Sequence, residues 1–168
     1  MSATSQWTSS EAIFPGNAPA IGGDREFHGS VGTEVVKVFN MAVARTGLRA
    51  AEARDAGFDP FTTEVQVWDH KAYYPDAHKL RIRLTGDCRS GLLLGAQIVG
   101  RWQAQVAKRI DIFATALFAG IKVDEISDLD LSYTPPLSSP WDPVQSAAQA
   151  WTAGRFKEGD RRFTGSQD

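Results

Sequence analysis

Cysteine, histidine and long apolar runs are the scarce features of this chain. A single cysteine, Cys88, occurs in 168 residues. No intramolecular disulfide, redox dithiol or cysteine-rich zinc site can therefore form. Such usage fits a reducing compartment, and a cytoplasmic location is expected. The three histidines, His28, His70 and His78, match no metal-ligand spacing and read as ordinary surface or loop residues. No apolar stretch approaches the ~20 residues that cross a bilayer, so no membrane segment is expected. The first residues carry neither a basic nor an apolar leader region, and no secretory signal is expected. Basic charge is not in excess. A net charge of −2 and a pI near 5.9 speak against nucleic-acid binding, which calls for a basic field. No Gly-x-Gly-x-x-Gly opens a helix, because Gly16 and Gly22-Gly23 lie in a Ser/Ala/Pro/Gly-rich stretch without strand-turn-helix context. No Walker-type loop is present, and Ser138-Ser139 lack a nucleophile-elbow setting. Autonomous redox catalysis is accordingly the least expected activity.

What is present reads as one domain with tails. Residues 1–25 form a loose lead-in, and residues 154–168 a charged, flexible tail. Between them, residues 33–39 are β-branched and aromatic, as a strand requires. Residues 41–46 extend or bend that strand. Residues 49–56 make a short helix that Gly57 stops. Residues 61–69 are a strand. In residues 80–84, Leu80, Ile82 and Leu84 alternate with Arg81 and Arg83, the pattern of a half-buried antiparallel strand. Turn chemistry over 86–91 joins it to a returning strand at 92–99. Apolar residues recur at helical spacing from 103 to 119 (Val106, Ile110, Phe113, Ala114, Leu117, Phe118), with Gly120 as cap. A short acidic helix over 123–129 and a last helix over 143–153 complete the pattern. The fold class expected is α+β, an antiparallel β-sheet with helices packed on one face.

Few residues carry chemistry. Cys88 sits beside Arg89, whose charge could activate a thiol, although an incidental thiol in a hairpin loop is the simpler reading. Asp124, Glu125, Asp128 and Asp130 read as a solvated face with helix N-terminal acids. Tyr73-Tyr74-Pro75 forms an aromatic corner between two strands, suited either to packing or to offering a phenol. The most informative stretch is 129–144. There Tyr133 precedes Pro135-Pro136, a second proline turn follows at Pro140, and a helix starts at Asp142-Pro143. Proline fixes φ and discourages helix in the preceding residue, so this is a stiff arm that holds one hydroxyl in a set place.

Nine segments, taken in order, carry a family resemblance: 29–39 (GSVGTEVVKVF), 43–48 (VARTGL), 52–58 (EARDAGF), 73–75 (YYP), 95–100 (GAQIVG), 108–111 (KRID), 114–117 (ATAL), 129–136 (LDLSYTPP) and 141–144 (WDPV). Together they resemble the C-terminal dimerisation domain of the pyridine nucleotide-disulfide oxidoreductases, nearest the coenzyme A-disulfide reductase, NADH oxidase and persulfide reductase branch. The resemblance covers residues 22–151, with 21–27 resembling the join to a flavin-binding part, and places the domain at 26–153. It implies that FAD, NAD(P)H and the active cysteine belong to other domains of the complete enzyme, and that this chain binds no cofactor. A cut-out domain, a truncated product or one half of a split enzyme is expected. The resemblance also implies a homodimer in which Tyr73 and Tyr133 approach the substrate thiol and disulfide in the partner subunit's active site. The apolar faces of the 103–119 helix and the sheet are expected to form the two-fold interface. Where the glutathione-reductase branch places a His-Pro base, this arm has no histidine. Three functions follow: a non-catalytic dimerisation and substrate-gating module, a half that works in trans with a separately encoded FAD/NAD(P)H-binding half, or a stand-alone binding or regulatory protein for coenzyme A-like thiols.

Overall fold

The computed structural model describes residues 29–164. The expected lead-in, the join at 21–27 and His28 lie outside them. Five strands form one sheet in the order β1-β2-β5-β4-β3, every neighbouring pair antiparallel. The strands are β1 (Glu34–Val38), β2 (Met41–Gly47), β3 (Pro60–Trp68), β4 (Lys79–Asp87) and β5 (Leu93–Arg101). The helices are α1 (Ala50–Asp55), α2 (Val106–Ala119), α3 (Val123–Ile126) and α4 (Pro143–Thr164). Among the described residues, no helix is long and apolar enough to cross a membrane.

Alternation decides which face is covered. Leu80, Ile82 and Leu84 of β4, Ala96 and Ile98 of β5, and Ala42 and Ala44 of β2 point to one side, where they meet Val106, Ile110 and Phe113 of α2 and Val144, Ala147, Ala148 and Trp151 of α4. This is the expected α+β arrangement. The other face shows three cross-strand rows. Glu34, Arg45, Gln97, Arg83 and Glu64 form one, Val36, Val43, Val99, Arg81 and Gln66 the second, and Val38, Met41, Arg101, Lys79 and Trp68 the third. Glu64 lies 3.4 Å from Arg81 and 3.5 Å from Arg83. Val106, Ile110 and Phe113 of α2 are spent inside the subunit, whereas Phe118 stays exposed, so of the apolar residues expected at a two-fold interface those three are taken by the core.

Other boundaries differ from the sequence reading for identifiable reasons. The segment 33–46 is a hairpin, turned at Phe39-Asn40, and Phe39 takes the left-handed conformation at φ 51°. A 3-10 turn over Trp102–Ala104 precedes α2, which starts only at Val106. The acidic helix is the single turn α3. The last helix does not end at residue 153 but continues through Gly154 to Thr164, where a flexible tail was expected. Gly154 is a packing position: a Cβ there would lie 2.8 Å from the Phe61 ring. As expected, Gly57 and Gly120 end α1 and α2 at positive φ.

Two contacts lock α4 and the β4–β5 turn. Trp151 is buried and donates from Nε1 to the Phe61 carbonyl at 2.8 Å. The irregularity in β4 at Thr85/Gly86 makes room for its ring, since a Cβ on Gly86 would lie 2.6 Å from it. Asp87 accepts from Asp59 N (2.9 Å), Ser90 N (3.0 Å) and Ser90 Oγ (2.6 Å). Burial pushes its carboxyl up, but the Ser90 and Asp59 hydrogen bonds and the Arg89 charge outweigh this and hold it below the ordinary aspartate value.

Two outcomes are expected. Gly86→Ala overpacks the Trp151 seat and lowers unfolding free energy by about 1–3 kcal/mol in urea titrations; an unchanged midpoint would contradict this packing. Because Asp87 is depressed in the folded state, its stabilisation is complete above the unfolded value of about 3.9 and is lost as pH falls through the lower folded value. Asp87→Asn should therefore flatten the acid side of the stability–pH curve. A slope equal to that of the parent would refute the assignment.

Candidate functional site

The two candidate tyrosines sit on loops that the fold builds separately and then ties together. The first loop, 69–78, joins β3 to β4 and closes on Asp69. The Asp69 amide donates to His78 O at 2.9 Å. Its buried Oδ1 accepts from His70 N (2.9 Å) and His78 N (2.8 Å). The His70 ring spans the loop, with Nδ1 3.1 Å from Asp69 Oδ1 and Nε2 3.2 Å from Pro75 O. Tyr74 N donates to Lys71 O, and the Tyr73 and Tyr74 rings meet at a tilt of 41° with centroids 5.1 Å apart. Tyr73 is 75% exposed. The histidines thus belong to a loop latch, and among the described residues no group of His, Cys, Asp and Glu could hold a metal.

The second loop is the arm, pinned at both ends by the start of α4. Asp142 is the N-cap: Val144 N donates to its Oδ1 at 2.9 Å, and Asp142 N donates back to Gln145 Oε1 at 3.0 Å. Pro143 occupies the first helical position, where a missing N–H costs nothing. From the same carboxamide, Gln145 Nε2 donates to Ser127 O (3.2 Å) and Leu129 O (2.9 Å), which fixes where the arm begins. Midway, Thr134 O accepts from Leu137 N and Ser138 N across the Pro135-Pro136 step. Tyr133 is half exposed on this frame. It lines an open cleft of about 310 Å3 with Lys108, Ile112, Leu131, Thr134 and Leu137. Tyr73 is not part of that lining.

Buried Arg109 of α2 joins the two loops. Its Nη1 donates to Ala104 O at 2.6 Å, and its Nη2 donates to Asp69 O at 2.7 Å and to Asp142 Oδ2 at 3.3 Å. Ser138 Oγ donates to the same Asp142 oxygen at 3.0 Å. A direct main-chain bond, Lys71 N to Pro135 O at 3.2 Å, joins the loops a second time. Sequence reasoning singled out both tyrosines and the Asp142-Pro143 helix start but missed Arg109 and Asp69. One signal was available: Arg109 falls next to Ile110 on the apolar side of an amphipathic helix, where a cation needs buried partners.

The remaining candidates lie apart from the tyrosines. Cys88 follows Asp87 at the far end of β4, about 30 Å along the nine-residue strand from the Tyr73 loop. Its neighbour Arg89 donates to Gly57 O at 2.6 Å and lies 3.8 Å from Asp87, so that cation is committed elsewhere. In the acidic run, Asp124 and Glu125 occupy the first turn of α3, and Glu125 accepts from Lys122 N at 2.7 Å as a helix cap.

With the fold and the two loops established, comparison with known proteins is informative. Residues 33–143 match the family described as pyridine nucleotide-disulphide oxidoreductase, dimerisation domain. The chain is 32% identical over 123 residues to the CoA-dependent NAD(P)H sulfur oxidoreductase of Pyrococcus furiosus, covering 73% of this chain and 27% of that protein. It is 34% identical over 119 residues to the coenzyme A disulfide reductase of Staphylococcus aureus, covering 71% of this chain and 26% of that one. Among solved structures, the reduced Bacillus anthracis CoADR-RHD superposes with a TM-score of 0.75 at 38% identity, over 80% of this chain and 24% of that one. The chain thus spans about a quarter of the length of these relatives. By sequence and by fold, it belongs to the pyridine nucleotide-disulphide oxidoreductase family, of which residues 33–143 are the dimerisation domain.

Proposed function

We propose that this chain is the dimerisation and substrate-gating domain of a FAD-dependent, NAD(P)H-using disulfide reductase of the coenzyme A-disulfide or persulfide reductase type, and that it is not catalytic alone. One observation carries the reading: two loops, each presenting an exposed tyrosine, are tied together at Lys71–Pro135 and at Arg109. The reduction itself needs parts found elsewhere. One cysteine cannot cycle as a dithiol. The described residues do not fit a dinucleotide. Every strand pairing is antiparallel, and no glycine-rich turn leads from a parallel strand into a helix, where a pyrophosphate would sit. FAD and the nicotinamide would supply the electrons from another domain or a separately encoded half.

This chain's contribution is a pair of phenols. When a disulfide is split, the departing sulfur carries the negative charge. A Tyr133 or Tyr73 O–H held beside it donates a hydrogen bond or a proton and makes it a better leaving group. Neither phenol needs a nearby base for this, because each acts as a donor. In a two-fold dimer each subunit would present its tyrosines to the other's reaction centre, an arrangement that symmetry makes reciprocal.

Mixing this chain with a FAD/NAD(P)H-binding half should restore NAD(P)H oxidation driven by coenzyme A disulfide; no turnover on mixing would refute a trans-acting role. In that assembly Tyr133→Phe should lower kcat by roughly 10²-fold, the low end for a lost proton-transfer group, and an unchanged kcat would remove Tyr133 from the reaction. Light scattering at micromolar concentration should give twice the 18.3 kDa chain mass; elution as a monomer would count against the homodimer.

A further inference from the structure

Arg109 is held in a way that a merely stabilising side chain does not require. It is 5% exposed, and its three acceptors belong to three different segments. Ala104 O lies in the 3-10 turn, Asp69 O at the base of the Tyr73 loop, and Asp142 Oδ2 at the end of the Tyr133 arm. One nitrogen, Nη2, serves both tyrosine loops at once. A guanidinium is planar and rigid, so its two contacts cannot be adjusted independently. If the Asp142 carboxylate moves, Nη2 must turn, and the Asp69 carbonyl loses alignment. Asp69 in turn closes the 69–78 loop through His70 N and His78 N.

We propose that Arg109 is a positioning residue that makes the Tyr73 loop and the Tyr133 arm respond as one unit. The functional meaning of this coupling rests on the gating role proposed above for the two phenols; the coupling itself does not. Two phenols that serve one sulfur must keep a fixed separation. The Lys71–Pro135 bond is a single main-chain contact at 3.2 Å, whereas Arg109 fixes both loops to the helix that forms the core. Lysine could not replace it, because a point ammonium on a flexible stem cannot span acceptors on separate segments with fixed geometry.

The chain offers a direct readout. It contains three tyrosines, Tyr73, Tyr74 and Tyr133, all on these two loops. Incorporating 3-fluorotyrosine therefore gives three 19F signals, which single Tyr→Phe variants assign. Asp142→Asn keeps a good N-cap but removes the charged partner of Arg109. The expected result is a shift beyond the linewidth at Tyr133 and also at Tyr73, on the other loop, with the far-UV circular dichroism unchanged. Made in the Arg109→Lys background, the same Asp142→Asn change should leave Tyr73 where it was, since the connection has already been cut. A Tyr73 signal that ignores Asp142→Asn overturns the proposal, as does one that responds equally in both backgrounds, which would assign the coupling to Lys71–Pro135. If Arg109→Lys does not fold, Arg109→Met, uncharged and of similar length, takes its place as the background, and the same comparison decides; a Tyr73 signal silent to Asp142→Asn ends the proposal in either case. No part of this experiment requires reductase activity, so failure of the mixing assay would remove the gating role while leaving the coupling to stand or fall separately.

Discussion

A buried guanidinium has to be surrounded before the rest of this domain can close. Removing a cation from water costs several kcal/mol unless each donor finds a partner. Arg109 meets most of that requirement through Nη1 and Nη2, which draw in two carbonyls and one carboxylate from segments that are otherwise unrelated in sequence, while its buried Nε has no hydrogen-bond partner. Satisfying one charge therefore sets the positions of the 3-10 turn, the β3–β4 connection and the start of α4. The hydrophobic core of α2, α4 and the sheet supplies the driving force, but dispersion and burial are tolerant of small slides. Charged hydrogen bonds of fixed direction are not.

The division of labour follows from where order is concentrated. Asp69, Arg109, Asp142 and Gln145 are all buried or nearly so, and each is spent on holding backbone. Tyr73 and Tyr133 are held by that frame yet face outward. The domain is thus a rigid mount for two phenols, and under the proposed function the groups they serve would belong to another polypeptide surface. Chemistry on loops and rigidity beneath them is the usual arrangement by which a scaffold carries a site. In the proposed dimer, assembly would complete the site.

Sequence patterning was readable where local periodicity and tertiary packing agree. The alternation in 80–84, the helical stripe through Val106, Ile110 and Phe113, and the glycines after α1 and α2 all match the structure. Patterning misled where a distant partner decides. The β1–β2 turn bears only Asn40 as a signal, within a continuous β-branched run. The continuation of α4 past Gly154 depends on Phe61, which also receives the Trp151 hydrogen bond from 90 residues away. The Arg109 contacts cross 40 and 33 residues of chain, beyond the reach of any window of periodicity. Tyr133 was singled out by the prolines around it, whereas Tyr73 stayed open between packing and chemistry until the family resemblance gave it an expected role.

The uncovered side of the sheet has a consequence for how the molecule travels. Its three rows carry Arg45, Arg81, Arg83, Arg101 and Lys79 but only Glu34 and Glu64. The chain as a whole is nevertheless acidic, at −2. Positive charge is therefore gathered on this strand face, an unevenness that the small total charge conceals. In dilute salt, where the screening length grows to about 30 Å at 0.01 M, such a body rotates before it touches. Acidic surfaces draw its strands toward them, so that orientation is partly selected during approach.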